Sequence, residues 1–139
     1  MKILYTDGSC APNPGPGGYA VICEGKPVRL GFDVTSTNIR MEGQALIEAL
    51  KIAQKEAVEI RTDSQFWISV MTDWAVKWEA NGWKKKGGEI QNIDIVKQLC
   101  ALYKTSQAKL VFVRAHVGTE GNELADEWAN TAREQQLHS

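Results

Sequence analysis

I-R-T-D-S-Q, residues 60–65, closes an apolar, strand-like run (V-E-I-R-T-D, 58–63) in a carboxylate, and polar residues that open a helical pattern follow it. Its place in the chain decides the fold class. Three strand-like runs precede it, at residues 2–7, 18–24 and 27–34, the last two joined by the short turn E-G-K that suits a hairpin. Helical patterns occupy 40–56 and 64–80 on either side of it; a helix at 92–104, a strand at 109–114 and a last helix at 120–135 follow. Three strands and then an alternation of helices and strands predict an α/β protein with a mixed sheet and helices on its faces.

The same stretch poses a chemical question, because L-Y-T-D-G-S-C at residues 4–10 also ends an apolar run in Thr-Asp and a small residue. In open sheets flanked by helices, ligands gather beyond the carboxyl ends of the strands. The sequence therefore predicts Asp7 and Asp63 at two strand ends, each followed by small turn residues. A third acid is anomalous by helical geometry. With Glu42 set at zero on a wheel of about 100° per residue, Ala45, Leu46, Ala49, Leu50 and Ala53 fall within about 80° of it. Glu42 thus centres the apolar stripe, and its charge needs compensation by a base, by backbone N–H groups or by a metal ion. Arg40 is the nearest candidate for a structural pair. In the last helix, Asp126 lies at about 100° from Ala125, on the edge of the stripe formed with Trp128, Ala129 and Ala132. Carboxylates without paired His or Cys partners select hard cations, magnesium or manganese before zinc. Such a set can hold two ions about 4 Å apart, an arrangement suited to phosphodiester hydrolysis.

Composition sets the frame. With 139 residues, 43% hydrophobic and 24% charged, the chain has the balance of one ordinary soluble domain spanning 1–139. Cys10, Cys23 and Cys100 are scattered and lack C-x-x-C spacing, which predicts reduced thiols in a cytoplasmic protein. No signal-peptide stretch or membrane span is legible. The net charge of −1 argues against a nucleic-acid partner until its distribution is considered. Between Trp74 and Lys109 there are seven lysines and three acids, so a basic region sits beside an acidic remainder. C-A-P-N-P-G-P-G-G, residues 10–18, lacks the lysine and hydroxyl of a P-loop. It reads either as a rigid connection between strands or as a stiff loop holding Asn13 toward a ligand.

Five motifs in order along the chain resemble type 1 ribonuclease H: Y-T-D-G-S-C-A-P-N-P-G-P-G-G-Y near the start, T-N-I-R-M-E at 37–42, T-D-S-Q at 62–65, the tryptophan- and lysine-bearing segment 74–88, and H-V-G-T-E-G-N-E-L-A-D at 116–126. The resemblance implies the ribonuclease H-like fold, a five-stranded mixed sheet flanked by helices with a basic protrusion. It implies an endonuclease that cuts the RNA strand of RNA–DNA hybrids to 3′-hydroxyl and 5′-phosphate ends, using two Mg²⁺ ions with substrate and Mn²⁺ as a substitute. On matching positions, Asp7, Glu42, Asp63 and Asp126 are the metal-binding carboxylates. His116, by itself an incidental loop histidine, takes the place of a mobile histidine that assists proton handling or product release.

For the substrate, Asn13, Asn38 and Gln65 match positions that contact the minor groove and the 2′-hydroxyl, the group that distinguishes RNA from DNA. Thr37 matches a DNA-phosphate position, and Trp74 one that lines the DNA-strand channel. Ile39 departs from the T-N-N-R found in many relatives and puts the DNA-phosphate contact in question. Trp78 and Trp83 read as packing residues. Lys84, Lys85 and Lys86 are either a solvated loop or phosphate contacts. The chain is expected to act as a monomer, away from membranes. Rival readings are a DNA-only nuclease of the same fold, a non-catalytic hybrid-binding module and a strand-end aspartyl phosphotransferase.

Overall fold

The computed structural model describes residues 1–84, 88–114 and 120–138. Strands β1 (Lys2–Cys10), β2 (Gly15–Cys23) and β3 (Lys26–Ser36) form an antiparallel meander. β4 (Val58–Thr62) and β5 (Ala108–Phe112) add in parallel on the other side of β1, giving a five-stranded sheet of order β3-β2-β1-β4-β5. The β2–β3 hairpin turns at Glu24 and Gly25, both with positive φ (53° and 77°), the geometry of a two-residue turn that matches strand twist.

Helix α1 (Asn38–Ile52) covers one face of the sheet and packs with α4 (Ile93–Thr105). Between them the chain runs as α2 (Gln65–Ser69), a π-helical turn (Val70–Trp74) and α3 (Ala75–Ala80), where the sequence predicts one helical stretch. The core on this face centres on Leu46, Leu50, Ile60, Trp67, Ile95 and Leu99, all buried. Trp78 and Trp83 pack against it, in line with their reading as packing residues. Helix α5 (Glu120–Gln135) covers the opposite face, setting Ala125 and Ala129 on Ala20 and Ile22. The small residues of that stripe let the helix lie close to the strands.

Several boundaries differ from those the sequence predicts; α1 ends at Ile52, four residues early, and β3 runs on to Ser36. β1 does not end at Asp7 but continues to Cys10, because Gly8 and Ser9 pair with Tyr19 and Gly18 instead of turning. β2 correspondingly begins at Gly15, inside the proline–glycine stretch. β5 ends at Phe112, two residues early. The extension of β1 is lopsided: its pairing with β4 stops at Tyr5–Arg61, while its pairing with β2 runs on to Cys10–Gly17. Past Tyr5, the β4 side of the central strand is open.

Candidate active site

Asp7 lies in that open stretch, and Asp63 is the first residue after β4. Glu42 reaches the same place through a close approach of α1 to β1. A Cβ on Gly8 would sit 2.3 Å from the Glu42 backbone nitrogen and 2.4 Å from the Met41 carbonyl carbon, so only glycine lets the helix come this near. Thr37 starts α1 by accepting a hydrogen bond from the Arg40 backbone N–H at 3.2 Å. Carboxylate oxygens of Asp7, Glu42 and Asp63 lie within 4.8 Å of one another. Asp126, from α5, is outside that tight group but lines the same cavity of about 490 Å³, together with Asn38, Asn122 and Glu123.

The electrostatics follow from gathering acids in a half-closed place. Asp7 is 7% exposed. Burial and then the charge of Asp63 push its carboxyl up to about 8, with Asp126 and Glu42 adding to the rise; the Gly8 N–H, donating to Oδ1 at 2.8 Å, opposes it. Burial and Asp63 likewise push Glu42 up to about 7, against a hydrogen bond from the Ser64 side chain. No described basic side chain is among the groups acting on Asp7 or Glu42. Arg40 is not the partner of Glu42: its guanidinium grips Asp94 at 2.7 and 3.0 Å and reaches the Asn92 amide oxygen at 3.2 Å. Residues two apart on a helix point to different sides, which excludes the pairing. An all-oxygen cluster that raises the pKa of its own members fits a hard divalent cation.

Ser64 holds this arrangement from behind. It is buried, its hydroxyl accepts from the Trp67 N–H at 3.3 Å at the start of α2, and it also reaches Glu42. Ser64→Ala is expected to lower stability by about 1 kcal/mol through loss of the cap and to reduce turnover several-fold with little change in KM. Thermal unfolding and steady-state rates check both; wild-type kcat would remove Ser64 from the support of Glu42.

The positions expected to contact substrate divide into three groups. Asn38 lines the acidic cavity, its Oδ1 accepting from the Cys10 N–H at 2.7 Å. Asn13 accepts from the Asn38 backbone N–H at 3.2 Å. With Thr37 it lines a second cavity of about 580 Å³, completed by Pro14, Ile39, Gln91 and Asn92. Ile39 thus borders that cavity while also packing on the core, and its carbonyl accepts from the Trp67 indole N–H at 2.7 Å. Gln65 and Trp74 border neither cavity. Gln65 donates to Ser69, and Trp74 is exposed, edge-on to Phe66 and tilted against Trp78. Lys84 is exposed; Lys85, Lys86 and His116 lie outside the described residues.

Asn122 is a site residue that the sequence pattern did not single out. It is 5% exposed, lines the acidic cavity, and its Oδ1 has no hydrogen-bond partner among the described residues. Its spacing is the signal that could have found it: four residues before Asp126, one helical turn away on the same side.

A five-stranded mixed sheet thus gathers three carboxylates beside its central strand. The RNase H family model matches residues 1–134. The chain is 40% identical to ribonuclease H of Methylorubrum extorquens (strain PA1) over 97% of its own length, spanning 61% of that protein, and 39% identical to ribonuclease H of Pseudomonas putida (strain W619), covering 91% of this chain and 89% of that one. Among solved structures it is similar to LC9-RNase H1, a type 1 RNase H with the type 2 active-site motif, at TM-score 0.86 and 30% identity over 99% of this chain and 74% of that one. The chain belongs to the RNase H family.

Proposed function

We propose that residues 1–139 act as one catalytic unit that hydrolyses the RNA strand of RNA–DNA hybrids, leaving 3′-hydroxyl and 5′-phosphate ends. Asp7, Glu42, Asp63 and Asp126 would hold two Mg²⁺ ions with substrate, with Mn²⁺ as a substitute. The observation that carries this reading is the meeting of three carboxylates within 4.8 Å in a cavity that also takes in Asp126. When bound, such cations neutralise charge at the scissile phosphate and lower the pKa of the attacking water.

The chain's own groups bind and orient. Asn38 and Asn13 each have the amide oxygen tied to a backbone N–H, which leaves the NH₂ groups as donors for the sugar edge and 2′-hydroxyl. Gln65 commits its NH₂ to Ser69 and keeps its carbonyl oxygen as an acceptor. The Thr37 oxygen accepts at the helix start, so its hydroxyl hydrogen is available to a DNA phosphate. Trp74 offers an exposed ring to the DNA strand. His116 handles a proton near neutral pH, and Lys84, Lys85 and Lys86 meet phosphates as the basic protrusion. Three free cysteines agree with a cytoplasmic site of action, and among the described residues no helix is long and apolar enough to cross a membrane.

The test is incubation with end-labelled hybrid, RNA duplex and DNA duplex, each with Mg²⁺ or with chelator. Only the hybrid with Mg²⁺ should be cut, in its RNA strand; cleavage of duplex DNA would favour the DNA-only reading. His116→Ala is expected to slow turnover without ending it, and complete loss would show that its role is larger. Replacing Lys84, Lys85 and Lys86 by alanine should weaken hybrid binding and flatten its salt dependence by about one unit of log–log slope for each phosphate that the loop neutralises. An unchanged slope would make the loop a solvated one.

A further inference from the structure

Helix α5 lies along the face of β1 that carries Tyr5, Asp7 and Ser9, alternate residues that share one side of the strand. Its contacts with them run in register. Near the start of the helix, a Cβ on Gly121 would sit 2.2 Å from Tyr5 Cε2, so the ring packs directly on the helix backbone. Further along, the Ser9 hydroxyl donates to Asn130 Oδ1 at 2.5 Å and accepts from Arg133 Nη1 at 3.2 Å. Gly18, paired with Ser9 across the sheet, makes room for this approach: a Cβ there would sit 2.4 Å from both the Ala129 carbonyl oxygen and the Arg133 backbone nitrogen. Between these two points stand Asp7 and Asp126, which line the same acidic cavity.

The spacing ties the polar contact to the carboxylates. From Ser9 back to Asp7 the strand covers about 7 Å, and from Asn130 back to Asp126 one helical turn covers about 6 Å. The Ser9–Asn130 bond therefore sets which point of the helix faces Asp7. Asp126 needs such support more than the other three acids do. Strand pairing places Asp7 and Asp63, and the approach of α1 to Gly8 places Glu42. Asp126 depends on how α5 is seated, and two carboxylates that face each other push helix and strand apart when no cation lies between them. The buried neighbours on α5 are Ala125, Ala129 and Ala132, whose methyl groups interlock little with the sheet.

We propose that Asn130 is a positioning residue: held by Ser9 and, through that hydroxyl, by Arg133, it seats α5 so that Asp126 reaches the cation site. The inference rests on the reading of Asp126 as a metal-binding carboxylate. Asn130 does not line the acidic cavity, so it acts through the helix and not on the ion.

The measurement is the Mg²⁺ concentration at half of the Mg²⁺-induced rise in Tm, which needs no turnover. Asn130→Ala should raise this midpoint about threefold or more, less than the tenfold or more that follows loss of a direct partner of a metal ligand. Ser9→Ala breaks the same bond from the strand side and should raise it equally, the double variant should match either single one, and Ser9→Thr, which keeps the hydroxyl, should stay at the wild-type value. In an Asp126→Asn background, Asn130→Ala should shift the midpoint no further, because the carboxylate through which it acts is gone. A role confined to stability would lower the Tm in chelator and leave the midpoint alone. A wild-type midpoint in Asn130→Ala, or an equal rise with and without the Asp126 carboxylate, would overturn the proposal. Should Asn130→Ala fail to fold, Ser9→Ala, which leaves α5 untouched, decides the question by the same two criteria. No Mg²⁺-induced rise in the wild type would instead sink the metal-binding reading itself, and this proposal with it.

Discussion

Asp7→Asn is expected to reduce cleavage of an RNA–DNA hybrid by about 10³-fold or more while leaving hybrid affinity, measured with chelator, close to wild type. The substitution keeps the shape of the side chain and one carbonyl oxygen, so the hydrogen bond from Gly8 at 2.8 Å can persist and the backbone of β1 has no reason to move. What it removes is one of three carboxylates whose oxygens lie within 4.8 Å, the most buried of the set. A neutral amide holds a hard cation poorly, and the charge that organises the centre falls by one. Binding should survive because the substrate contacts proposed above come from other groups, and because removing a negative charge cannot increase repulsion of a phosphate. Wild-type turnover in this variant would end the carboxylate assignment. Loss of binding together with loss of cleavage would show that Asp7 supports the fold around Gly8 instead.

How much of this was legible in the sequence depended on whether the signal was local. Glu42 could be found because one wheel places it among Ala45, Leu46 and Ala49, and those residues are indeed buried. Asp7 was found with its strand drawn too short: Gly8 and Ser9 have turn chemistry, but pairing with β2 overrides it, and the glycine serves a close approach of α1 that only the tertiary fold reveals. Arg40 looked like a partner for Glu42 by proximity in the chain, yet its actual partner, Asp94, arrives from α4. The second cavity was half visible through Asn13 and Thr37, while Gln91 and Asn92 come from a segment more than fifty residues later. Asn92 adopts φ +56° at the start of α4, a left-handed conformation that asparagine tolerates better than most residues. The π-helical turn at Val70–Trp74 left no trace in the periodicity, because one extra residue in a turn shifts the pattern by less than a short helix can register.

The metal-free protein is expected to lose stability as pH rises from 5.5 to 8.5, the reverse of the trend set by salt-bridged carboxylates. Asp7 has a folded-state pKa of about 8 against an ordinary value of 3.8, and Glu42 about 7 against 4.5. Between those limits the folded state keeps protons that the unfolded chain has released, so each pH unit costs the fold up to about 1.4 kcal/mol per proton retained. The stabilising protonation is complete below about pH 4 and is lost as pH passes through the folded values. In chelator, the Tm should therefore fall by about 5 °C or more across this range. Asp7→Asn should raise the Tm at pH 8.5 and flatten the profile, since neutralising one carboxyl also relieves the charge acting on its neighbours. Saturating Mg²⁺ should stabilise the wild type more at pH 8.5 than at pH 5.5, because cation and protons compete for the same oxygens, and should do much less for the variant. Thermal unfolding followed by circular dichroism at three pH values, with and without Mg²⁺, measures all of these. A wild-type Tm that rises with pH, or an Asp7→Asn profile parallel to wild type, would mean that these carboxyls do not repel one another in the folded protein, and the case for a cation between them would lose its physical basis.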